Sequence, residues 1–399
     1  MRQDTGYHNH QRKNRLFLFL VLILLIGGIL LYLHTLNSSR QITPIPIAVP
    51  TASSSPSTTL NYNLGMSLGD TLVWKTPAEI NSELDDIASL GIGRIRFDIS
   101  WADIQPESST TFDWYKLDQI VSAANARKIK LLPDLAYTPK WERPSDCTDS
   151  DECAPADPAQ FAIFAQAVVS RYAPQGISDW EIWNEENTSG FWKPVPNASA
   201  YAKLLKYTYS AIKSVESSSI VIMGGLSPTP PTSTQKIAPV DFLTQIYATG
   251  AKDYFDAVGM HPYSSPTLPT TYEKWNAWSQ MSLTVPSLRS IMGSNGDGNK
   301  QIWLTEFGAP TGGPGILEAS NTDKIFTGSP DHVTEALQAE MYSTAITSAK
   351  QLPWAGPLFF YSYKDLGTST KTPENFFGII RNDGSLKPAY DVLKQAASQ

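Results

Sequence analysis

Residues 178–187 read SDWEIWNEEN, and this stretch decides the fold class. An apolar run typical of a buried strand leads directly into three polar residues at 184–186. The stretch QIWLTEFG at 301–308 repeats the arrangement and carries Glu306 near its end. Each stretch therefore predicts a buried strand with a glutamate at its carboxyl end.

Around these two strands, short apolar runs alternate with amphipathic helical stretches from Asn61 onward, which is typical of βα units. We predict eight strands, near 61–66, 92–98, 129–135, 178–184, 219–224, 255–261, 301–306 and 357–362. An open doubly wound sheet alternates similarly, but it has five or six strands and a Gly-rich loop after the first. The pattern favours a single (β/α)8 TIM barrel, whose strands 4 and 7 lie across its mouth.

Several predicted helices carry start signals. Residues 76–79, TPAE, offer an N-cap threonine, a proline at the first helical position and the glutamate of a capping box, and Gly91 closes that helix. Asp157-Pro158 opens another helix, and the last one is predicted near 388–397.

The N-terminal region sets the expected compartment. Residues 16–33, LFLFLVLILLIGGILLYL, contain no charge and would span roughly 27 Å as a helix, close to a bilayer's hydrocarbon core. Because basic residues precede this stretch, the positive-inside rule places 1–15 in the cytoplasm as a basic tail. We predict a single-pass transmembrane signal-anchor at 16–36. A cleaved signal peptide is the alternative, although its apolar region is usually only about 7–15 residues long.

Residues 37–60 are rich in Ser, Thr and Pro, which predicts a flexible linker. The remainder, 61–399, is the predicted barrel domain and is expected outside the cytoplasm. It contains 26 basic and 37 acidic residues, a net charge of −11. This charge argues against a nucleic-acid partner, because binding phosphates requires a basic surface.

The chain has two cysteines, Cys147 and Cys153, in a polar stretch. In an oxidising compartment they can close a small loop, so we predict a disulfide. Zinc would need further ligands, and the barrel region has only two histidines, His261 and His332. No motif for a metal or an organic cofactor is present, and none is expected.

Paired glutamates across a barrel mouth suit glycoside hydrolysis, which needs two carboxylates flanking one bond. The runs WNE at 183–185 and TEFG at 305–308 resemble the signature of the large clan of retaining glycosidases with glutamates on strands 4 and 7. With EIWNE and the HPY at 261–263, the chain is most similar to family 39 and family 5 bacterial polysaccharide hydrolases. The likeness covers 61–399.

This resemblance implies roles for individual residues. Glu185 would be the general acid/base and Glu306 the nucleophile, while Asn184 would bind the sugar 2-hydroxyl. His261 and Tyr263 would border the cleft, with Tyr263 bonded to the nucleophile. Arg96 matches an arginine close to the nucleophile in related families, where a cation helps to keep the carboxylate ionised.

Aromatic residues in the loops after the strands suit the apolar face of a sugar ring. Further substrate contacts are predicted on this basis for Trp101, Tyr137, Trp141 and Trp192. Strand 8 lacks the tryptophan that many relatives carry at its end, so Tyr361 or Tyr363 is expected to replace it.

Glu186 stands where a proline often follows the catalytic glutamate, so the two adjacent acids compete for one role. Asn184, directly before Glu185, favours Glu185.

These observations predict a retaining hydrolase that cleaves β-linked, extracellular or cell-surface polysaccharide through a glycosyl-enzyme intermediate. The chief alternative is a non-catalytic polysaccharide-binding protein on the same barrel, which the presence of both carboxylates disfavours. A metal-dependent hydrolase would need more histidines. A serine hydrolase would need a G-x-S-x-G elbow, which the sequence lacks.

Overall fold

Eight parallel strands pair side by side and close into a barrel in a computed structural model that describes residues 59–229, 232–318 and 330–399. They are β1 (Asn61–Ser67), β2 (Ile92–Ser100), β3 (Lys130–Ala136), β4 (Asp179–Asn184), β5 (Ile220–Leu226), β6 (Ala257–Met260), β7 (Gln301–Phe307) and, after two short strands, β10 (Ala355–Tyr361). The short strands β8 (Ile316–Glu318) and β9 (Pro330–Val333) pair only with each other. The predicted (β/α)8 barrel is confirmed.

Helices lie between the barrel strands and after the last one. They span Pro77–Ser89, Trp101–Ile104, Tyr115–Ala126, Pro158–Tyr172, Ala198–Val215, Pro239–Ala248, Ala277–Ser282, Leu288–Ser294, Glu335–Gln351 and Pro388–Ala397. Short 3-10 turns lie at Thr71–Trp74, Lys140–Glu142, Ala173–Gln175, Lys252–Tyr254 and Pro373–Phe376.

Local side-chain chemistry explains where these helices begin. The hydroxyl of Thr76 accepts from the amide of Glu79, whose carboxylate accepts from the amide of Thr76, completing the predicted capping box. Gly91, with φ +85°, follows the end of that helix. Asp157 caps the helix that starts at Pro158.

The barrel interior is packed by large side chains. Leu132, Ile222, Ala257, Trp303 and Phe359, one from each of five strands, form a buried cluster separate from the core under the helices. Two glycines make room for the rings, because a Cβ at Gly65 would lie 2.2 Å from Phe359 and one at Gly356 would lie 2.5 Å from Trp303. The filled interior leaves the carboxyl ends of the strands as the place for a site.

Among the residues that the structure describes, no helix is both long and apolar enough to cross a bilayer. The predicted basic tail at 1–15, the anchor at 16–36 and nearly all of the linker at 37–60 lie outside the described residues.

Candidate active site

Glu185 and Glu306 lie at the same end of the barrel and line one open cleft of about 680 Å³. Glu185 directly follows β4, and Glu306 is the penultimate residue of β7. The chain turns sharply at the end of β4, where Trp183 and Glu185 have φ angles of +72° and +44°. Such conformations are unfavourable for side chains larger than glycine, and they cluster at functional sites.

Glu306 is held at both carboxylate oxygens. Oε1 accepts from Nη1 of Arg96 at 2.6 Å and from the hydroxyl of Ser67 at 3.4 Å. Oε2 accepts from the hydroxyl of Tyr263 at 2.7 Å. Burial raises the pKa of Glu306, but the charges of His261 and Arg96 and these hydroxyl donors outweigh it, so the pKa lies below its usual value. The carboxylate is therefore kept ionised.

His261 connects the two glutamates. Its Nδ1 is 3.0 Å from Oε1 of Glu185 and 3.7 Å from Oε2 of Glu306. These oxygens can thus be at most about 6.7 Å apart, the sum of 3.0 and 3.7 Å. Burial lowers the pKa of His261, but the charge of Glu306 and the bond to Glu185 outweigh it and raise the pKa above 6.5. Gly225 gives the ring its space, because a Cβ there would lie 2.1 Å from Nε2.

Arg96 lies beneath the cleft and is fully buried. Its Nε donates to Glu181 at 2.5 Å and its Nη2 donates to Oδ1 of Asn184 at 2.8 Å, while Asp134 lies 3.5 Å away. Arg96 thus lies against the nucleophile candidate, as the resemblance implied, and it is not among the residues that line the cleft. Its contacts fix the positions of Glu306 and Asn184.

Asn184 lines the cleft, and its Oδ1 is taken by Arg96. The amide nitrogen Nδ2 therefore remains the group that can donate to a sugar hydroxyl.

The structure separates the two adjacent acids. Glu185 lines the cleft, whereas Glu186 is fully buried and lies against Gly224, where a Cβ would be 2.3 Å from its Oε2. Burial raises the pKa of Glu186 well above its usual value, and the charge of Glu181 adds to this. Glu186 is thus buried away from solvent, and of the two adjacent acids only Glu185 lines the cleft.

The aromatic residues predicted to bind substrate divide into two groups. Tyr137 and Tyr361 line the cleft, as does Tyr263. Tyr363 instead donates to Asp86, so Tyr361 is the aromatic residue of β10 at the cleft.

Three tryptophans do not line the cleft, which corrects their predicted role. Trp101 is fully buried and packs against Trp141 and Phe161 at 5.4 and 5.6 Å between ring centroids. Trp192 is buried between Trp183 and Tyr201. Trp141 donates its indole N–H to the backbone of Gln105. These large rings follow strands, yet they gain more by joining the apolar core than by facing solvent.

Other cleft residues were not predicted. Trp74, in the 3-10 turn after β1, is 75% exposed and lines the cleft with Phe191 and Phe377. No amphipathic period marks so short a turn, so its tryptophan could not be predicted to line the cleft.

Cys147 and Cys153 form a disulfide, and both are buried. The loop that they close carries Asp151 and Glu152, which line the cleft. Lys193 braces this loop from the other side, because its Nζ lies 3.1 Å from Glu152. The disulfide thus holds one wall of the cleft.

Solved structures with the same barrel include several glycosidases. A family 39 glycoside hydrolase from Bacteroides cellulosilyticus WH2 is 21% identical, with a TM-score of 0.62 over 84% of this chain and 63% of that one. GH5_18 from Streptomyces cattleya, in complex with GlcNAc, is 14% identical, with a TM-score of 0.61 over 85% and 80%. A monomeric β-xylosidase from Caulobacter crescentus CB15 is 19% identical, with a TM-score of 0.56 over 84% and 67%. At these identities the likeness shows the fold.

The chain spans less than two thirds of the length of the Bacteroides enzyme. A search of curated proteins found no match. The family model described as cellulase (glycosyl hydrolase family 5) matches residues 53–341, well over half of the sequence. The chain therefore belongs to glycosyl hydrolase family 5.

Proposed function

We propose that this enzyme hydrolyses β-linked polysaccharide with retention of configuration, with Glu306 as nucleophile and Glu185 as general acid/base. One observation carries the assignment: both carboxylates line the same cleft and both lie within 3.7 Å of one imidazole nitrogen. Retaining enzymes place their carboxyl groups roughly 5–5.5 Å apart, and the upper limit set by His261 is compatible with that spacing.

In the first step, an oxygen of Glu306 attacks the anomeric carbon and the glycosidic C–O bond breaks. The leaving oxygen takes the proton of Glu185, so the leaving sugar departs as an alcohol and a glycosyl ester remains on Glu306. Arg96 and Tyr263 stabilise the carboxylate before attack. Asn184 offers Nδ2 to the sugar, where a bond to the 2-hydroxyl strengthens as positive charge develops.

In the second step, Glu185 takes a proton from water, and the resulting hydroxide equivalent attacks the anomeric carbon. The bond to Glu306 breaks, and the sugar leaves with its original configuration. His261 bonds to Glu185 and can rearrange its own proton as the charge on Glu185 changes.

We propose the cell surface as the place of action. The apolar stretch at 16–36 would anchor the chain, the linker at 37–60 would hold the barrel away from the bilayer, and a cell-surface or extracellular polysaccharide would be the substrate. The acidic balance of the barrel region does not favour a nucleic-acid partner.

The test is product release from a panel of β-linked polysaccharides by the full-length chain in mild detergent. Glu306→Ala and Glu185→Ala should each lower the release of reducing ends by several orders of magnitude. Azide then separates their roles on aryl glycosides, whose phenolate leaves without an acid, because azide attacks the anomeric carbon without needing a base. Glu185→Ala should recover and yield a glycosyl azide of retained configuration, whereas Glu306→Ala should yield the inverted azide.

If Glu306→Ala kept full activity, the assignment of the nucleophile would be wrong. Binding of one glycan with no cleavage by the parent protein would instead support the non-catalytic alternative.

A further inference from the structure

Acidic side chains make up much of the lining of the cleft. Beside Glu185 and Glu306 it is lined by Asp70, Asp98, Asp103, Asp151, Glu152 and Glu374, and no lysine or arginine is among its lining residues. Glu152 has Lys193 as a partner at 3.1 Å. Asp70, Asp98, Asp103 and Asp151, here called the aspartate wall, form no ion pair within the described part of the chain.

The members of the aspartate wall act on one another. Burial raises the pKa of Asp103, and the negative charges of Asp151 and Asp70 raise it further. Burial raises the pKa of Asp98 to about 6; the charge of Arg96 opposes this rise, while the charges of Glu306 and Asp70 add to it. The four carboxyl groups therefore lie close enough for the charge of one to act on its neighbours, while Arg96 offsets part of the charge of Asp98.

Asp98 also has an unfilled bonding position. It lines the cleft but is only 9% exposed. Its Oδ2 accepts from the hydroxyl of Tyr137 at 3.1 Å, while its Oδ1 is buried and has no partner in the described residues. A buried carboxylate oxygen without a donor is unfavourable, and a donor on a ligand would relieve that cost.

An exposed aromatic ring stands beside these acids. Trp74 donates its indole N–H to Asp70 at 3.3 Å, which holds the ring at the cleft. Trp74, Asp98 and Asp103 also line a second recess, whose lining includes Lys116 as its one basic residue. A tryptophan face binds the apolar side of a sugar ring, so a sugar placed there has its substituents next to carboxylates.

A metal ion explains this arrangement less well. Within the described ranges, no group of three or more acidic, histidine or cysteine side chains has the spacing to hold a metal. Charges spread along a cleft suit a ligand that is itself extended and carries several separate positive charges.

We propose that the cleft selects β-linked glycans whose hexosamine units carry free amino groups, and that the aspartate wall and Trp74 bind these units. This inference rests on the proposed function of the same cleft. An ammonium group on the sugar donates to the aspartates and neutralises their mutual repulsion. Glycans bearing uronic acids are disfavoured, because each carboxylate would add to the repulsion.

The experiment uses the full-length chain and three sets of oligosaccharides with β-1,3, β-1,4 and β-1,6 linkages. Each set contains hexosamine oligomers with free amines, the same oligomers after N-acetylation, and glucose oligomers. At pH 6 the amine form should be preferred over the N-acetyl form by about tenfold or more in kcat/KM, since several weak charge pairs add. That preference should shrink several-fold at 0.5 M salt, because screening weakens exposed pairs.

Matched variants assign the effect to the wall. The double variant Asp70→Asn/Asp103→Asn removes two charges without changing side-chain size, and it should bring the preference close to parity. The control Asp391→Asn removes an exposed acid on the last helix, outside the cleft, and it should keep the preference. An unchanged preference in the double variant, or a preference of the parent for neutral oligomers, would overturn the proposal.

A binding measurement separates this inference from the proposed function. Titration calorimetry with Glu306→Gln reports affinity whether or not cleavage occurs. If the variant bound the amine oligomers more tightly but the parent did not hydrolyse them, the proposed selectivity would be supported and the proposed reaction would be wrong. If the parent hydrolysed the oligomers but the variant bound amine and N-acetyl forms equally well, the proposed reaction would stand and the proposed selectivity would be wrong.

Discussion

Arg96 and Glu306 are joined by a charge-assisted hydrogen bond of 2.6 Å, although the arginine is fully buried and only the glutamate reaches the cleft. The other nitrogens of the same guanidinium are taken by Glu181 and Asn184. One planar cation thus fixes an acid of the barrel interior and two cleft residues at once, which no other side chain can do.

Arg96→Lys keeps the positive charge but loses the planar guanidinium, whose separate nitrogens bond to Glu181, Glu306 and Asn184. We expect kcat/KM to fall by about 100-fold or more, since a small displacement of the nucleophile is costly, and the folded state to lose about 3 kcal/mol or more. The acid limb of the pH–rate profile should move to higher pH, because Glu306 must be ionised and a weaker cation contact raises its pKa. Arg171→Lys, at an exposed pair with Asp118, serves as the control. An unmoved acid limb would contradict the role given to Arg96.

Gly225→Ala should displace His261, because the added Cβ would lie 2.1 Å from Nε2. We expect kcat to fall by about 100-fold as the ring leaves both glutamates. Gly293→Ala is the matched control, since a Cβ there meets nothing within 4 Å. Steady-state kinetics on both variants decide the matter, and equal activities would show that the position of His261 is unimportant.

Asp98→Asn should remove a pH dependence of stability. The pKa of Asp98 is about 6 in the folded protein and 3.8 for the ordinary group. Between these values the unfolded chain loses its proton while the folded protein keeps it, so the contribution of Asp98 to stability falls as pH rises from 4 to 6. The free energy of unfolding of the variant, relative to that of the parent, should therefore rise by up to about 3 kcal/mol between pH 4 and pH 7. Chemical unfolding at several pH values measures this difference. A constant difference across that range would refute the raised pKa.

Replacing Trp74 by alanine should weaken substrate binding, whereas replacing Trp101 by alanine should lower stability. Trp74→Ala removes a 75% exposed ring, so it should raise KM several-fold with little change in the unfolding temperature. Trp101→Ala empties a buried aromatic cluster and should cost about 3–5 kcal/mol of unfolding free energy. Kinetics and thermal unfolding of both variants provide the comparison. Loss of stability in Trp74→Ala would show that this ring packs rather than binds.

Most of the fold could be predicted from the sequence, because the signals of the individual strands and helices agree with the alternating order expected of a barrel. All eight barrel strands lie within a few residues of their predicted positions, and the helices at 77–89 and 158–172 begin at their predicted caps. Buried parallel strands read as apolar runs, and capping residues mark helix starts, so each element carries its own evidence.

The walls of the cleft were harder to predict. Trp101 and Trp192 follow strands as expected of cleft residues, but whether a loop ring turns inward depends on partners distant in sequence, such as Phe161 and Tyr201. Trp74 was missed for the opposite reason: it lines the cleft, but no pattern in its short turn indicates that its ring is exposed. The aspartate wall is assembled from residues up to 81 positions apart, between Asp70 and Asp151, and only the closed barrel brings them to one cleft.

The disulfide between Cys147 and Cys153 also has a consequence for the handling of this enzyme. Both cysteines are buried, and thiol–disulfide exchange requires a thiolate to reach a sulfur. Reductant added to a finished preparation is therefore expected to act slowly on a bridge that formed during folding. Two batches of identical sequence can differ in the wall that carries Asp151, according to the host compartment in which each was made rather than the buffer in which it is assayed.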